Sequence, residues 1–512
     1  MRSLNSFKNT IVSIIMSIIS VVVTFISQKV VMSILGQEYL GLNGLFSNII
    51  SMLAIAELGF GSASIYSMYE PIAKNDTEQI KSLMKFYQSV YRIIAVAISV
   101  LGICLIPFLG FIVGESNISV NITLVYCLFV FDAVASYLLS YKRAILYASQ
   151  QAYLINIVHI FYLIFMNAAQ ILVLILTKNY ILFLVIKLIF RILENIIITL
   201  IANKKYPYII DRNVTPIAED TKNSIWKKIK GLVLHKIGAT GVSATDNIIV
   251  TYFLSIAQTG LLSSYVTLTS GLSMLISQVF DTLTSSVGNL LLENDTEKSY
   301  TVYKSLYLFN FWIYSFAAIG LVALTEPVIT VWIGEQYLLS FATLVVLCIN
   351  FYFVGMKKVF TVFKEAAGIF YEDRFTTIIE AVINIAISII LVQFLGMPGV
   401  FLGTIISALV QYLYTYPVLV YKKLFHKEYG SYLIQQVKFL ILFLLTFVIT
   451  IYCISLVSIT NIWTKMLIRL IIVMVIPNTI YFIIFRKSES FQYYFALLKV
   501  VKENIFKKKQ AS

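Results

Sequence analysis

An all-α membrane protein is predicted, with fourteen transmembrane helices forming two parallel-related six-helix lobes plus a C-terminal helix pair and both termini cytoplasmic. The first observation behind this is composition. Apolar residues make up 59% of the chain and charged ones 12%, the mean hydropathy is +0.87, and the apolar residues gather in runs long enough to cross a bilayer. The second is an internal repeat. Laying Gly41 and Leu42 on Gly260 and Leu261 puts the run NDTE at Asn75 to Glu78 on the same run at Asn294 to Glu297, and Lys85 on Lys304, without a gap. With one residue of slippage Val113-Gly-Glu115 also matches Ile333-Gly-Glu335. Polar residues that keep their spacing across 219 positions mark two homologous halves. The third is the confinement of Lys and Arg to alternate loops.

In the first half the apolar runs lie near 9 to 35, 41 to 69, 86 to 113, 121 to 141, 152 to 176 and 180 to 202. The second half repeats them near 232 to 254, 260 to 290, 305 to 333, 339 to 363, 375 to 395 and 400 to 421. A last pair, near 435 to 458 and 464 to 485, has no counterpart. The domains are therefore an N-terminal six-helix lobe, 1–202; a cytoplasmic amphipathic linker, 203–231; a C-terminal six-helix lobe, 232–423; the additional pair, 424–486; and a basic cytoplasmic tail, 487–512. The first run follows Arg2 and Lys8 and lacks a small-residue cleavage site, so it reads as a span and not as a removed signal peptide.

Orientation follows from charge. The turns GQEYLG, VGESN, TKNY, LSIAQTG, IGEQY, GMPG and SITNIWTK hold only Lys178 and Lys465 of the 39 Lys and Arg. The other side is rich in them, with Lys204, Lys205, Arg212, Lys222, Lys227, Lys228 and Lys230 in one loop, and the positive-inside rule makes that side cytoplasmic. Six spans per half is an even number, so the halves enter the membrane in the same sense and relate by an axis along its normal, leaving a central cavity. The net charge of +14 is then surface charge facing anionic membrane lipids, with no nucleic acid implied. In the linker, Ile225, Trp226, Ile229, Leu232 and Val233 recur at helical spacing between lysines, as in a helix lying on the membrane.

Several chemistries are excluded. The cysteines Cys104, Cys127, Cys348 and Cys453 all sit inside apolar runs without a CxxC, which argues against a disulfide framework or zinc site. There is no GxxxxGK[ST], GxSxG or HExxH. His159, His235 and His426 are scattered and read as structural. No catalytic residue is expected. The chain reads as a transporter and not an enzyme.

The segment LGQEYLGLNGLFSNIISMLAIAELGFGSASIYSMYEPIA resembles the second-helix region of Wzx-type polysaccharide flippases, of the multidrug/oligosaccharidyl-lipid/polysaccharide exporter superfamily. The turn LGMPGVFLGT, Leu395 to Thr404, and the extra C-terminal pair fit the same resemblance, which spans almost the whole chain. It implies a bacterial plasma-membrane flippase. The expected cargo is an undecaprenyl-pyrophosphate-linked oligosaccharide, carried from the inner to the outer leaflet by alternating access for capsule or other surface polysaccharide, beside polysaccharide polymerase machinery. A monomer is expected, because two lobes already enclose a pathway. Two other readings stand beside it: a cation-coupled multidrug exporter of the same superfamily, which would favour an acidic aromatic cavity, and a membrane polysaccharide polymerase, which should carry a sizeable outward loop.

Charges within spans mark candidate sites, because an ionised side chain in hydrocarbon is costly unless it faces a partner or a wet cavity. The first lobe holds Lys29, Arg92, Lys187 and Arg191 against Glu57, Asp132 and Glu194; the second holds Lys236 against Asp246, Asp281, Glu326 and Glu380. Arg191 and Glu194, at i,i+3, are expected to neutralise each other. A pyrophosphate headgroup suits the first lobe, so Lys29, Arg92, Glu57 and Lys187 are the substrate-binding candidates, Lys29 as a point charge and Arg92 as a fork. Glu57, in a helix rich in Gly and Ser, also fits an inter-helix anchor. A coupling cation, sodium or a proton, suits the second lobe, and no other cofactor is implied. Glu380 and Asn384 share a helix face at i,i+4. With Asp246, Val400 and Thr404 they resemble a sodium site of related flippases built from carboxylate, amide, carbonyl and hydroxyl oxygens, although acid and amide stand in swapped order on span eleven.

Overall fold

The computed structural model describes residues 2–57, 59–114, 116, 118–211, 214–369, 372–457 and 459–493, and the elements among them are helices. The first half runs through α1 (Arg2–Ile34), α2 (Gln37–Leu53), α3 (Phe60–Lys74), α4 (Thr77–Leu105), α5 (Leu109–Val113), α6 (Ile122–Leu138), α7 (Tyr141–Ala148), α8 (Ala152–Thr177) and α9 (Tyr180–Lys205). Next come α10 (Glu219–Ala244), α11 (Asp246–Phe253), α12 (Ile256–Asp281), α13 (Thr284–Leu292), α14 (Thr296–Trp332), α15 (Phe341–Met356) and α16 (Lys358–Ala366). After α17 (Arg374–Leu395) and α18 (Met397–Val410) the chain continues as a π-helical segment, Gln411–Lys422, into α19 (Lys423–Phe425), α20 (Tyr429–Ser455) and α21 (Ile462–Phe485). Most of the expected basic tail, and the side chains of Leu232, Val233 and Lys236, lie outside the described residues.

Among the described residues ten helices are long and apolar enough to cross a membrane, and eleven if α6 and α7, bent by 49°, count as one span. The three other expected spans have physical reasons to fall outside that count. The run 41 to 69 is broken by a 3-10 turn, Ala54–Glu57, and by Gly59 at φ 76°. The run 232 to 254 is interrupted at Thr245 between α10 and α11. The run 180 to 202 is one helix, α9, but it carries Lys187, Arg191 and Glu194.

The repeated NDTE has a backbone explanation. Asn75 and Asn294 take left-handed conformations, at φ 53° and 57°, which asparagine tolerates better than most residues. The next residue caps the following helix: Asp76 accepts from the Gln79 N–H and Asp295 from the Lys298 N–H, each at 2.9 Å. One sequence device thus ends a helix and begins the next in both halves.

Two compact units are formed, Met1–Gly271 with Arg374–Gly403, and Leu272–Asp373 with Thr404–Ser512. In the first, α8 packs on α1 and α9, α6 on α4 and α9, and α10 on α17. In the second, α14 is central and largely buried, whereas α1 of the first unit is largely exposed. Around α14 lies an aromatic core that includes Tyr303, Tyr307, Phe311, Phe360, Tyr416 and Tyr432. Many large apolar side chains point outward instead, as expected where the solvent is lipid.

Candidate functional site

In the first unit, Lys187, Arg191 and Glu194 stand at i, i+4 and i+7 of α9 and so share one face. Asp132 of α6 meets two of them, lying 3.2 Å from Lys187 Nζ and 3.2 Å from Arg191 Nε. Arg191 Nη1 reaches Glu194 Oε2 at 2.9 Å, the expected neutralising pair. The other oxygen, Glu194 Oε1, lies 2.8 Å from His159 Nδ1 of α8 and 3.4 Å from Arg143 Nη2 of α7. Four helices therefore converge on two carboxylates. The Glu194 side chain is 0% exposed, and a group so placed stays ionised at tolerable cost only because guanidinium groups answer it.

Aromatic faces complete the surroundings. The Arg191 guanidinium lies over the Tyr162 ring at 4.8 Å and Lys187 Nζ over the Phe129 ring at 4.8 Å, positions in which the ring quadrupole favours a cation. Arg143 Nη2 also donates to Asn195 Oδ1 at 2.9 Å, and Asn195 Nδ2 in turn donates to the Ala135 carbonyl at 2.8 Å. Arg143, Lys187 and Arg191 face Asp132 and Glu194, so the network carries one surplus positive charge before His159 is counted.

The other substrate-binding candidates are placed differently. Lys29 and Arg92 are exposed, on α1 and α4, and neither belongs to the network. Glu57 closes the 3-10 turn between α2 and α3, half-buried, with the Tyr137 hydroxyl 3.5 Å from its Oε2. The sequence reading passes over Arg143 and Asn195 and takes His159 as structural, whereas all three belong to this network. Their partners lie on other helices, and no spacing along the chain announces them.

Of the candidate cation residues, Asp246 is on α11 and Glu380 and Asn384 are on α17, and α10 and α11 both pack on α17. Glu380 and Asn384 are buried at 3% and 0% exposure. Thr245 Oγ1 donates to Asn384 Oδ1 at 3.3 Å, and Asp246 opens α11 beside it. The approach is close because Gly238 has no side chain: a Cβ there would stand 2.4 Å from the Thr377 backbone. Val400 is fully buried, and its carbonyl accepts from Ser388 Oγ at 3.1 Å. Thr404 belongs to the second compact unit. Carboxylate, amide and hydroxyl oxygens of this kind fit a hard monovalent cation. In the second unit, Glu326 is held by Lys465 and Arg469 of α21, each at 2.8 Å, and so ties α14 to α21.

The sequence matches no protein-family model and no curated protein. Solved structures do share its architecture. The lipid II flippase MurJ in an inward closed conformation superposes with a TM-score of 0.65 at 16% identity, over 92% of this chain and 98% of that one. An inward-facing multidrug resistance MATE family transporter of the MOP superfamily gives 0.60 at 16% identity, over 78% and 95%. A MATE structure in complex with MaD3S gives 0.54 at 16%, over 79% and 93%. At such identities the likeness is one of fold. The chain is a multi-pass helical membrane protein built on the fold shared by these transporters.

Proposed function

We propose that the protein is a flippase that moves an undecaprenyl-pyrophosphate-linked oligosaccharide from the inner to the outer leaflet of a bacterial plasma membrane by alternating access. The fold likeness covers a lipid flippase and multidrug transporters alike, so the choice between cargoes rests on this chain's own charges. The observation that carries it is the unequal network of the first unit: three cations against two carboxylates among membrane helices. A surplus cation there is costly without an anion, and a phosphate-bearing headgroup supplies one. The exposed Lys29 and Arg92 would extend the cationic surface. Fourteen spans with both termini cytoplasmic remain the topology we assign, and the Wzx-type subfamily the assignment closest to the residue pattern.

A second reading is favoured by one observation. Glu380 and Asn384 are buried side by side on α17 with Thr245 against them, which is what a cation-coupled multidrug exporter would also need. Both readings are tested by purified protein in liposomes. Flipping of a lipid-pyrophosphate oligosaccharide, with no uptake of cationic dyes, supports the first; dye transport without lipid flipping supports the second.

A further inference from the structure

We propose that His159 is a proton-binding site within the first unit, and that Arg143 is the group its charge displaces. His159 Nδ1 at 2.8 Å and Arg143 Nη2 at 3.4 Å both address one oxygen, Glu194 Oε1, while Arg191 occupies the other. A carboxylate held by guanidinium groups can only accept hydrogen bonds. Nδ1 therefore carries a proton in the neutral ring, and Nε2 is left as the basic nitrogen. A carboxylate so placed fixes the tautomer of an imidazole and steadies the imidazolium when it forms.

Proton uptake at Nε2 converts the His159 hydrogen bond into a charge-assisted pair, and the new cation competes with Arg143 for the shared oxygen. Arg143 is the weaker holder. Its contact is the longer one, and its Nε is buried without a hydrogen-bond partner. Its helix, α7, is a short piece bent 49° from α6, so it can reorient without unwinding a full span. Protonation releases Arg143 and α7 together; deprotonation returns them.

The charged and titratable groups around the imidazole come from every element packed nearby. On α8, Tyr162 stacks on the ring at 5.3 Å. From α9 come Glu194, Arg191 and Lys187, and from α6 Asp132. On α7, Lys142 is turned aside to Asn203 Oδ1 at 2.8 Å, which leaves Arg143 as the cation on Glu194 from that helix. Helix α1, which packs along α8, places Lys8 over the Tyr153 ring at 5.6 Å, near the start of α8. The site is separate from Glu380 and Asp246 and depends on network geometry, not on the identity of the cargo.

The test uses the full-length chain in nanodiscs. It has three histidines, so 15N-histidine NMR resolves them and His159→Gln identifies the resonance. The expected His159 signal is the neutral Nδ1–H tautomer at about pH 8 and the imidazolium at about pH 5, with the tautomer preference lost in Glu194→Gln. In a cysteine-free background, a spin label on Tyr147→Cys, a 37% exposed position on α7, should gain mobility between those two pH values and stay unchanged in His159→Gln. Arg143→Lys, a mild change should Glu194→Gln not fold, is expected to give the mobile spectrum at both pH values. An Nε2–H tautomer, a ring still neutral at the lower pH, or a pH response that survives His159→Gln overturns the proposal. None of these outcomes bears on whether the cargo is a lipid-linked sugar.

Discussion

Gly41 and Gly260 are each other's counterparts at the crossing of α2 and α12. A Cβ added to Gly41 would stand 2.1 Å from the Ile256 carbonyl oxygen, and one added to Gly260 would stand 1.9 Å from the Gln37 carbonyl oxygen. The two glycines and the two carbonyls are related by the same offset along the chain, so the contact is reciprocal. Because the opposing atoms are backbone, neither side can yield by rotating a side chain. Gly41→Ala and Gly260→Ala should each cost about 1–3 kcal/mol, read as a lower thermal midpoint in detergent. Gly110→Ala, with open space around it, should leave the midpoint nearly unchanged.

The capping residues of the repeat make a second, smaller prediction. Asp76→Ala and Asp295→Ala each remove the acceptor for one helix N-terminal N–H and should destabilise by about 1 kcal/mol. Replacing the preceding Asn75 or Asn294 with Gly should be tolerated, since glycine adopts a left-handed conformation freely, whereas Val should not. Equal thermal midpoints for the Gly and Val variants would contradict the geometry.

The helices and the repeat were legible in the sequence because they rest on local signals: apolar runs, a turn glycine, a capping aspartate. Arg191 with Glu194 was legible for the same reason, since three residues along one helix fix their proximity. Their meeting with Asp132, 59 positions away in sequence, and with His159, 35 away, was not. Such contacts depend on which helix faces which, and hydropathy does not encode that when every face is apolar. His159 looked isolated because its carboxylate partner, Glu194, is on another helix, α9. The breaks at Ala54–Glu57 and Thr245 were hidden too, inside runs whose mean hydropathy reads as continuous.

The network itself predicts an asymmetry between removing one charge and removing two. Asp132→Asn leaves Lys187 and Arg191 facing each other without their shared anion. The pairs are only partly exposed, so the loss should fall toward the low end of the ~3–5 kcal/mol expected for a broken buried pair. Adding Lys187→Met should restore much of that stability, because Arg143 and Arg191 then face Glu194 and the surplus returns to the single positive charge of the native network. A double variant as unstable as the single one would show that Lys187 is balanced by something else.

The topology is tested by accessibility in whole cells, starting from a chain whose four cysteines have been replaced. Single cysteines at Glu38 and Glu335 should react with an impermeant thiol reagent from outside, while those at Lys74 and Glu293, both exposed at the ends of α3 and α13, should react only after permeabilisation. Each pair samples both halves, so inverted labelling of either half would break the parallel relationship between them.

The last prediction concerns the cation residues around α17. Two carboxylates, Asp246 and Glu380, lie in the same unit as the buried amide of Asn384, and Thr245 already orients that amide through its oxygen. Buried carboxylates among membrane helices are stabilised by a cation or by protonation, and the two alternatives respond oppositely to pH. If sodium is the counter-charge, adding it should raise the thermal midpoint of purified protein by an amount that grows with concentration, as binding to the folded state alone requires. The increase should weaken at acid pH, where protons compete for the same oxygens. Potassium, a larger ion, should protect less. Asn384→Ala and Asp246→Ala should lose most of the protection while Asp281→Ala, whose carboxylate pairs with Lys358 at 2.5 Å in the second unit, should keep it. Equal protection of wild type and Asp246→Ala would remove sodium from this site; if acidification then stabilises wild type more than Glu380→Gln, the carboxylate holds a proton instead.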